Sequence, residues 1–390
     1  MNASATTAIW KAISSARKAA EAIYAAADGG DLQPEVAILT DDSSMGHLIA
    51  DGIGNSLDAT MHPGSWLNDL QTYAGAIGTP IRHYHLRDLL LPKVDVEKLL
   101  APIKLAILPN AFQMSGGLKD AVQNLLASNG RTIVYYYAPN VLDGSGGLQD
   151  SGVSDVVGCD MVRGNGSRSF VSEVVRGKAG TAAVPEVVAA SVVAPGGCPD
   201  FRALQGRVFE ATLSLAPSPG GPAGAASPWY HLDESGAAAE RGQCSVLARY
   251  KPAAGSNGGE GPAAAVCASK ADHTAILTAA PFPASALRLI AEAAGVHMFL
   301  NTTSALPPPT AGAYLHDASA DGVEALGSGV LVRGGPGAAA SVPRVVSLPT
   351  RPHGWAVTDE TGASVCRRCH AFSCALAAGE VAAYVVTVEK

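Results

Sequence analysis

Short apolar runs, each followed by a polar turn, organise the first part of the chain. Consecutive apolar positions predict β-strands at Glu35–Thr40, Ile103–Leu108, Arg131–Tyr137 and His273–Thr278. Because these runs do not alternate with polar residues, we expect the strands to be covered on both faces, as in a parallel sheet. Pro80–Leu86 alternates apolar and polar side chains, which is typical of a strand with one exposed face.

Helical spacing of apolar residues falls between these strands. It predicts helices at residues 7–27, Trp66–Ile77, Leu118–Ser128 and Ser285–Ala294. Strands that alternate with helices indicate an α/β domain whose doubly wound parallel sheet is joined by right-handed crossovers. We expect a linking helix within residues 1–34 and this α/β domain over residues 35–304.

The pattern changes after residue 304. Pro307–Thr310 is typical of a linker, and short strand-like runs then recur between turn residues, which indicates a small antiparallel β-sandwich over residues 305–390. Five such runs stand out, at Gly312–His316, Gly329–Arg333, Arg344–Leu348, Trp355–Thr358 and Val381–Val388. Residues 160–270 are less regular, and segments 216–228 and 252–265, rich in Pro, Gly and Ala, are interpreted as flexible surface loops.

Length and charge narrow the class of protein. A chain of 390 residues is too long for one hydrophobic core, so division into two domains is expected. The net charge of −7 without a basic run argues against a nucleic-acid partner. No apolar stretch approaches the roughly 20 residues that span a bilayer, so no membrane partner is expected. The N-terminus lacks a secretory signal, whereas a transit peptide stays open as an alternative.

Seven cysteines are scattered through the chain, most of them alone in apolar runs. An odd number in such positions is typical of reduced cysteines that serve as small core residues. The cytoplasm is therefore the default location.

The order of several segments resembles a known arrangement. These segments are Leu67–Gln71, Gly78–Leu89, Lys104–Phe112, Gly130–Asn140 and Ala284–His297. Together they resemble the C-terminal part of family-42 β-galactosidase-like glycoside hydrolases, namely the β-galactosidase trimerisation domain, which is similar to class I glutamine amidotransferases, and the β-sandwich that follows it. The resemblance implies a flavodoxin-like, amidotransferase-like sheet.

The resemblance also carries expectations about function. In that family the catalytic glutamates belong to a TIM barrel, and no barrel sequence occurs here, so no catalytic residue is carried over. The resemblance implies a non-catalytic accessory or oligomerisation module in carbohydrate metabolism, without a cofactor. It implies as partner a second copy of the chain, a trimer by resemblance, or a separate catalytic barrel subunit. Two alternatives stay open: a hydrolase of the amidotransferase-like or glycosidase class with an unrecognised site, and a carbohydrate-binding protein using an exposed Trp355.

Polar residues follow three of the predicted parallel strands. Asp41, Asp42 and Ser43 come after the first strand, Asn110 after the Ile103–Leu108 strand, and Asn140 after the Arg131–Tyr137 strand. Doubly wound sheets bind ligands at this edge, so these five residues form a possible ligand site. The alternative for Asp41 and its neighbours is a capping loop.

Three other patterns bear on possible chemistry: an amidotransferase triad, a metal or haem motif, and a pair of histidines. An amidotransferase triad needs a thiol nucleophile at a strand-to-helix turn, and none follows Tyr137. Cys366, Cys369, His370 and Cys374 have the spacing of a zinc or haem motif, but incidental cysteines within the sandwich are the favoured interpretation. His83 and His85, which share one face of a strand, with Asp88 nearby, are interpreted as structural.

Overall fold

The structure is a computed structural model, and it shows two groups of sheets, each with its own hydrophobic cluster. It describes residues 17, 21, 32–44, 74, 77–114, 116–145, 147–163, 186–188, 211–212, 230–235, 244–250, 263–278, 282, 284–300, 322–326, 328–333, 344–359, 361–376 and 381–388. Most of the predicted N-terminal helix, the Trp66–Ile77 helix, the 216–228 loop and the Gly312–His316 strand lie outside these residues. Arg17 and Glu21 of the N-terminal segment are helical and form an ion pair of 2.8 Å.

A nine-stranded sheet forms the centre of the first group, in the order β2-β1-β3-β4-β11-β10-β9-β6-β7. Its strands are β1 (Val36–Thr40), β2 (Ile81–His85), β3 (Leu105–Leu108), β4 (Arg131–Tyr136), β6 (Glu186–Val188), β7 (Ala211–Thr212), β9 (Cys244–Tyr250), β10 (Ala263–Ser269) and β11 (His273–Thr278). The first five strands in this order pair in parallel, and the last four are added antiparallel. The α/β class is confirmed, but the sheet is mixed and not purely parallel as predicted.

Burial follows the sequence pattern in the parallel strands. Every residue of β3 and β4 is buried, whereas edge strand β2 has only half-buried and exposed residues. Strands in the middle of such a sheet are covered on both faces, and this coverage explains the absence of alternation in their sequences.

The helices are short. They are α1 (Val96–Leu100), α2 (Leu118–Ala121), α3 (Asp150–Val157) and α4 (Ala284–Ala293), with a 3₁₀ turn at Leu86–Leu90 and a π-helical turn at Val122–Leu126 that continues α2. Within the described residues no helix is both long and apolar enough to cross a membrane.

A buried arginine at the start of β4 fixes two of these helical segments. The Arg131 guanidinium donates to the carbonyl oxygens of Leu100 at the end of α1 (2.9 Å) and Leu125 in the π-helical turn (3.0 Å), and its Nε donates to Ile103 (3.0 Å). Burial lowers the pKa of Arg131. The side chain thus satisfies carbonyl groups that helix ends leave without partners.

The antiparallel extension was not predicted. Its strands β9 and β10 pair with each other and join the sheet through β11. β10 begins at Ala263, so the end of the predicted 252–265 loop is a strand. A disulfide between Cys159, just after α3, and Cys244 in β9 ties the extension to the parallel part. A separate antiparallel pair, β5 (Met161–Arg163) with β8 (Tyr230–Leu232), lies between Cys159 and Cys244 in sequence.

The second group consists of a five-stranded sheet in the order β12-β13-β18-β15-β16 and a two-stranded sheet of β14 and β17. Their strands are β12 (Gly322–Leu326), β13 (Gly329–Arg333), β14 (Arg344–Ser347), β15 (Trp355–Asp359), β16 (Ser364–Cys369), β17 (Ala371–Cys374) and β18 (Val381–Val388). One hydrophobic cluster contains side chains from both sheets, including Val346 and Phe372 from the smaller and Trp355 and Val386 from the larger. The two antiparallel sheets therefore pack on each other.

Residues 297–300 join the two groups. Phe299 and Leu300 belong to the second cluster, yet both donate their N–H to the carbonyl of Gly78 in the first group (2.9 Å each). Ser347 in β14 donates its N–H to Phe299 (2.7 Å), and its own carbonyl lies 3.1 Å from His297 Nε2. The polypeptide therefore passes from one group to the other through a hydrogen-bonded joint.

Candidate functional site

Asp41 and Asn110 meet at the carboxyl edge of the parallel sheet, directly after the adjacent strands β1 and β3. The Asp41 N–H donates to Asn110 Oδ1 (2.9 Å), and Asn110 Nδ2 donates to the Asp41 carbonyl (2.7 Å). Both residues are buried. The Asn110 side chain therefore joins the β1 and β3 segments in the same register, three residues beyond the last pair of their backbone ladder.

The Asp41 carboxylate is the centre of the edge network. Its Oδ2 accepts hydrogen bonds from Ser43 Oγ (2.7 Å), Ser44 N (3.1 Å) and Ser44 Oγ (2.6 Å). The bond from Ser44 N has the geometry of a helix N-cap, as the capping alternative predicts, and Asp42 to Ser44 form a helical turn.

Arg87 completes the coordination of this carboxylate. It donates from Nε to Asp41 Oδ1 (3.0 Å) and from Nη2 to Ser43 Oγ (2.6 Å). The Asp41 side chain has no exposed surface, whereas 43% of the Arg87 side chain is exposed. A nucleophile or general base must present an oxygen to its substrate, and both oxygens of Asp41 are already engaged.

The network continues to the loop after β3. Ser44 Oγ accepts the Gln113 N–H (3.2 Å), and Gln113 Nε2 donates to the Asp143 carbonyl (2.8 Å). Arg87 and Gln113 were not predicted as members of the site. Their link to Asp41 and Ser44 depends on tertiary folding and leaves no local signal in the sequence.

Asn140 lies at the same edge but makes different contacts. Its Oδ1 accepts the Met114 N–H (3.2 Å), its own N–H donates to the Ala111 carbonyl (2.8 Å), and its φ is +55°. No bond between Asn140 and Asp41 or Asn110 is seen. The structure thus brings Asp41, Ser43 and Asn110 together and places Asn140 in a neighbouring turn.

Asp42 stands apart from the buried network. Its side chain is 79% exposed, and its Oδ2 lies 3.4 Å from Nδ1 of His85, whose side chain is 64% exposed. His83 lies on the same strand, and desolvation by the surrounding groups lowers its pKa although part of the side chain is exposed. Asp88 accepts the His85 N–H (3.2 Å), so it caps the 3₁₀ turn.

The turn after β4 is occupied by a strained tyrosine. Tyr137 has φ of +65°, which is unusual for a bulky residue, and its N–H donates to the Thr278 carbonyl at the end of β11 (2.8 Å). The residue is buried, with its ring edge-on to Phe112 at 5.7 Å between centroids. The side chain at this turn packs in the core.

The cysteine motif of the second group forms a disulfide between Cys366 and Cys369. Zinc binding would require both sulfurs as thiolates, and the described residues contain no group of three or more His, Cys, Asp or Glu side chains arranged for a metal. The expectation of reduced cysteines is wrong for these two residues, for Cys159 and Cys244, and for Cys267, which is also disulfide-bonded. Partners 85 residues apart in sequence could not be matched from spacing.

Trp355 is not exposed as the carbohydrate-binding alternative required. Only 1% of its surface is accessible, and its Nε1 donates to the Pro349 carbonyl (2.8 Å). The Arg351 guanidinium lies 5.1 Å from the ring centroid. The indole is a core side chain, so it cannot stack on a sugar.

Comparison with solved structures identifies proteins that share the fold of this chain. No protein-family model matches the sequence, and no curated protein matches it significantly. The β-galactosidase from Bacillus circulans sp. alkalophilus matches with a TM-score of 0.54 at 12% identity, over 90% of this chain and 41% of that one. The chain has the fold of one part of a β-galactosidase. The β-galactosidase of Rahnella sp. R3 matches with a TM-score of 0.53 at 13% identity, over 91% of this chain and 41% of that one.

A third solved structure repeats the pattern. Gan42B, a GH42 β-galactosidase from G. stearothermophilus, matches with a TM-score of 0.54 at 13% identity, over 92% of this chain and 41% of that one. The chain thus spans less than half the length of these enzymes. The resemblance to GH42 β-galactosidases drawn from the sequence is confirmed at the level of fold.

Proposed function

We propose that this chain is the non-catalytic C-terminal part of a β-galactosidase-like glycoside hydrolase and acts as its assembly module. Its partner is a second copy of the chain, in a trimer, or a separate catalytic barrel subunit. The observation that carries the proposal is the coverage of the structural matches, 90% of this chain against 41% of the enzyme. The greater part of such an enzyme has no counterpart here.

The chemistry of the sheet edge supports the same proposal. The buried Asp41 carboxylate accepts four hydrogen bonds. Both the oxygen and the nitrogen of the Asn110 side-chain amide are hydrogen-bonded as well. A fully bonded network rigidifies the edge of the sheet. This arrangement suits a scaffold that holds loops in a fixed position.

We place the assembly surface beside edge strand β2. Leu90 and Leu91, which end the 3₁₀ turn after β2, are 39% and 49% exposed. Adjacent exposed leucines beside a sheet edge are typical of an interaction surface, because both apolar area and backbone hydrogen-bonding groups are available there.

The proposal is tested by molar mass in solution, measured by light scattering over a wide concentration range. We expect a closed oligomer, and we expect Leu90→Gln combined with Leu91→Gln to lower its mass. The matched control, Lys93→Gln with Lys98→Gln, changes two exposed residues nearby and should leave the mass unchanged. A wild-type monomer that also fails to bind a separately expressed β-galactosidase-like barrel would contradict the assembly role.

A hydrolase with an unrecognised site is the competing function. Its test is a screen of aryl β-galactosides and amides against the purified chain. Turnover that is lost in Asp42→Asn, which changes an exposed carboxylate at the same edge, would favour the competing function over the assembly module.

A further inference from the structure

Edge strand β16 carries two cysteines on the same face, although they are three residues apart. In a regular strand, residues separated by three positions point to opposite faces. Here Cys369 is opposite Trp355 and Cys366 is opposite Val357, so three steps along β16 match two along β15. The extra residue is a β-bulge, and it turns both sulfurs to one side.

The backbone of the bulge is fixed from both strands. Arg368 has φ of +52°, and Gly354 packs so closely on it that a Cβ at Gly354 would lie 2.7 Å from the Arg368 carbonyl carbon. Gly354 itself has φ of +70°. The bulge and the side-by-side cysteines are therefore a built feature of this hairpin.

The disulfide lies within reach of solvent. Both cysteines are half-buried, and the flanking Arg367, Arg368 and His370 are exposed. By contrast, the Cys159–Cys244 disulfide belongs to the buried core of the first group. The Cys366–Cys369 and Cys159–Cys244 disulfides thus differ in their access to solvent.

Basic residues flank the exposed disulfide. Arg367, Arg368 and His370 are exposed beside the cysteines, whereas the carboxylate of Asp359 at the end of β15 accepts hydrogen bonds from Thr361 and Ala363 in the turn of the hairpin. Cationic neighbours favour the thiolate form of a cysteine and attract anionic reactants.

We propose that Cys366–Cys369 is a reversible thiol–disulfide exchange site for small anionic thiols. The thiolate of the reactant attacks Cys366 Sγ, a mixed disulfide forms there, and the Cys366–Cys369 bond breaks with release of Cys369 as a thiolate. A second thiol then attacks the reactant's sulfur in the mixed disulfide, so two thiols become one small disulfide and the protein gains two thiols.

The neighbours of each cysteine favour one direction of attack. Exposed basic residues, Arg368 and His370, flank Cys369 on both sides, whereas Val365 and Arg367 flank Cys366. Cationic neighbours stabilise a leaving thiolate. Cys369 is therefore the leaving sulfur, and Cys366 carries the adduct.

The test treats the oxidised protein with mercaptoethanesulfonate (anionic), mercaptoethanol (neutral) and cysteamine (cationic) at equal thiolate concentration. Differential alkylation and peptide mass spectrometry then follow each cysteine. We expect Cys366 adducts first, Cys159–Cys244 unchanged over the same time, and a rate with the anionic thiol at least about threefold above that with the neutral thiol at low salt. Added salt should remove the difference.

The arginines are tested by Arg367→Gln with Arg368→Asn, because asparagine tolerates the left-handed backbone at that position. This variant should lose the anionic preference, and Lys93→Gln with Lys98→Gln, which removes the same charge elsewhere, should keep it. The proposal is overturned if Cys366–Cys369 reacts no faster than Cys159–Cys244, if the adduct forms on Cys369, or if the arginine variant keeps the preference.

Discussion

The Asn110 side chain holds the backbone of Asp41 at two points, donating to its carbonyl at 2.7 Å and accepting its N–H at 2.9 Å. The two residues are 69 positions apart, and together they close the gap between neighbouring strands where the backbone ladder ends. The geometry makes Asn110 a structural residue of the sheet edge and leads to a first prediction.

Asn110→Ala should destabilise the protein by about 2–3 kcal/mol, because two buried hydrogen bonds are lost and the Asp41 backbone groups stay buried. Urea unfolding followed by circular dichroism measures the change. Gln123→Ala removes an exposed amide that bonds to Asp155 and should change the free energy of unfolding by less than about 0.5 kcal/mol. Equal losses in the free energy of unfolding for the two substitutions would contradict a structural role of the Asn110 hydrogen bonds.

Arg131→Met should cost about 3 kcal/mol or more, because the helix-end carbonyls that the guanidinium serves would stay buried without donors. Arg131→Lys should rescue only part of the loss, since an ammonium group cannot reproduce the planar fork of donors. Thermal unfolding of the three proteins provides the comparison. Full rescue by lysine would mean that the positive charge, and not the geometry, is what matters.

Gly152→Ala should destabilise α3 by about 1–3 kcal/mol, since the new Cβ would overlap the carbonyl oxygen of Asn140 and the helix would have to move. The neighbouring Ser151→Ala changes an exposed position of the same helix and serves as control. Hydrogen exchange of the α3 amides reports the local effect. Unchanged protection in Gly152→Ala would contradict the close approach of helix and turn.

His83 makes stability depend on pH. Desolvation by the surrounding groups lowers its pKa, so the unfolded chain binds this proton more readily than the folded protein. The stability that His83 contributes is therefore complete above the unfolded pKa of about 6.5 and is lost as the pH falls towards the lower, folded value.

His83→Asn should accordingly reduce the loss of stability between neutral and mildly acidic pH, measured by urea unfolding at several pH values. His85→Asn removes the second exposed imidazole of the strand, which lies beside Asp42, and controls for the substitution itself. An acid-side slope identical to that of the wild type would exclude His83 as its source.

The parallel half of the large sheet could be predicted because its strands are nearly continuous apolar runs. β11 has the predicted limits, and β4 is one residue shorter than predicted. The antiparallel half was missed, since β10 has the sequence AAAVCAS, and small residues carry little strand signal. Among the later strands, β13, β14, β15 and β18 were predicted, whereas β12 was not.

The candidate site shows the same division. Asp41 and Asn110 could be paired from sequence because both follow adjacent parallel strands. Arg87 could not, since its contact with Asp41 depends on how the 3₁₀ turn after β2 is oriented. Trp355 was misjudged because a tryptophan at the start of a strand gives no sign of which face it occupies.

The covalent link between Cys159 and Cys244 has a consequence for how this protein can evolve. The two ends of an 85-residue stretch are held together at fixed points of the large sheet. Once a loop is closed in this way, doubling its length raises the entropic cost of ordering its ends by only about 0.6 kcal/mol. Insertions and deletions between the strands of this stretch, β5 to β8, should therefore be among the least damaging length changes in the first group, and homologues should differ in length there.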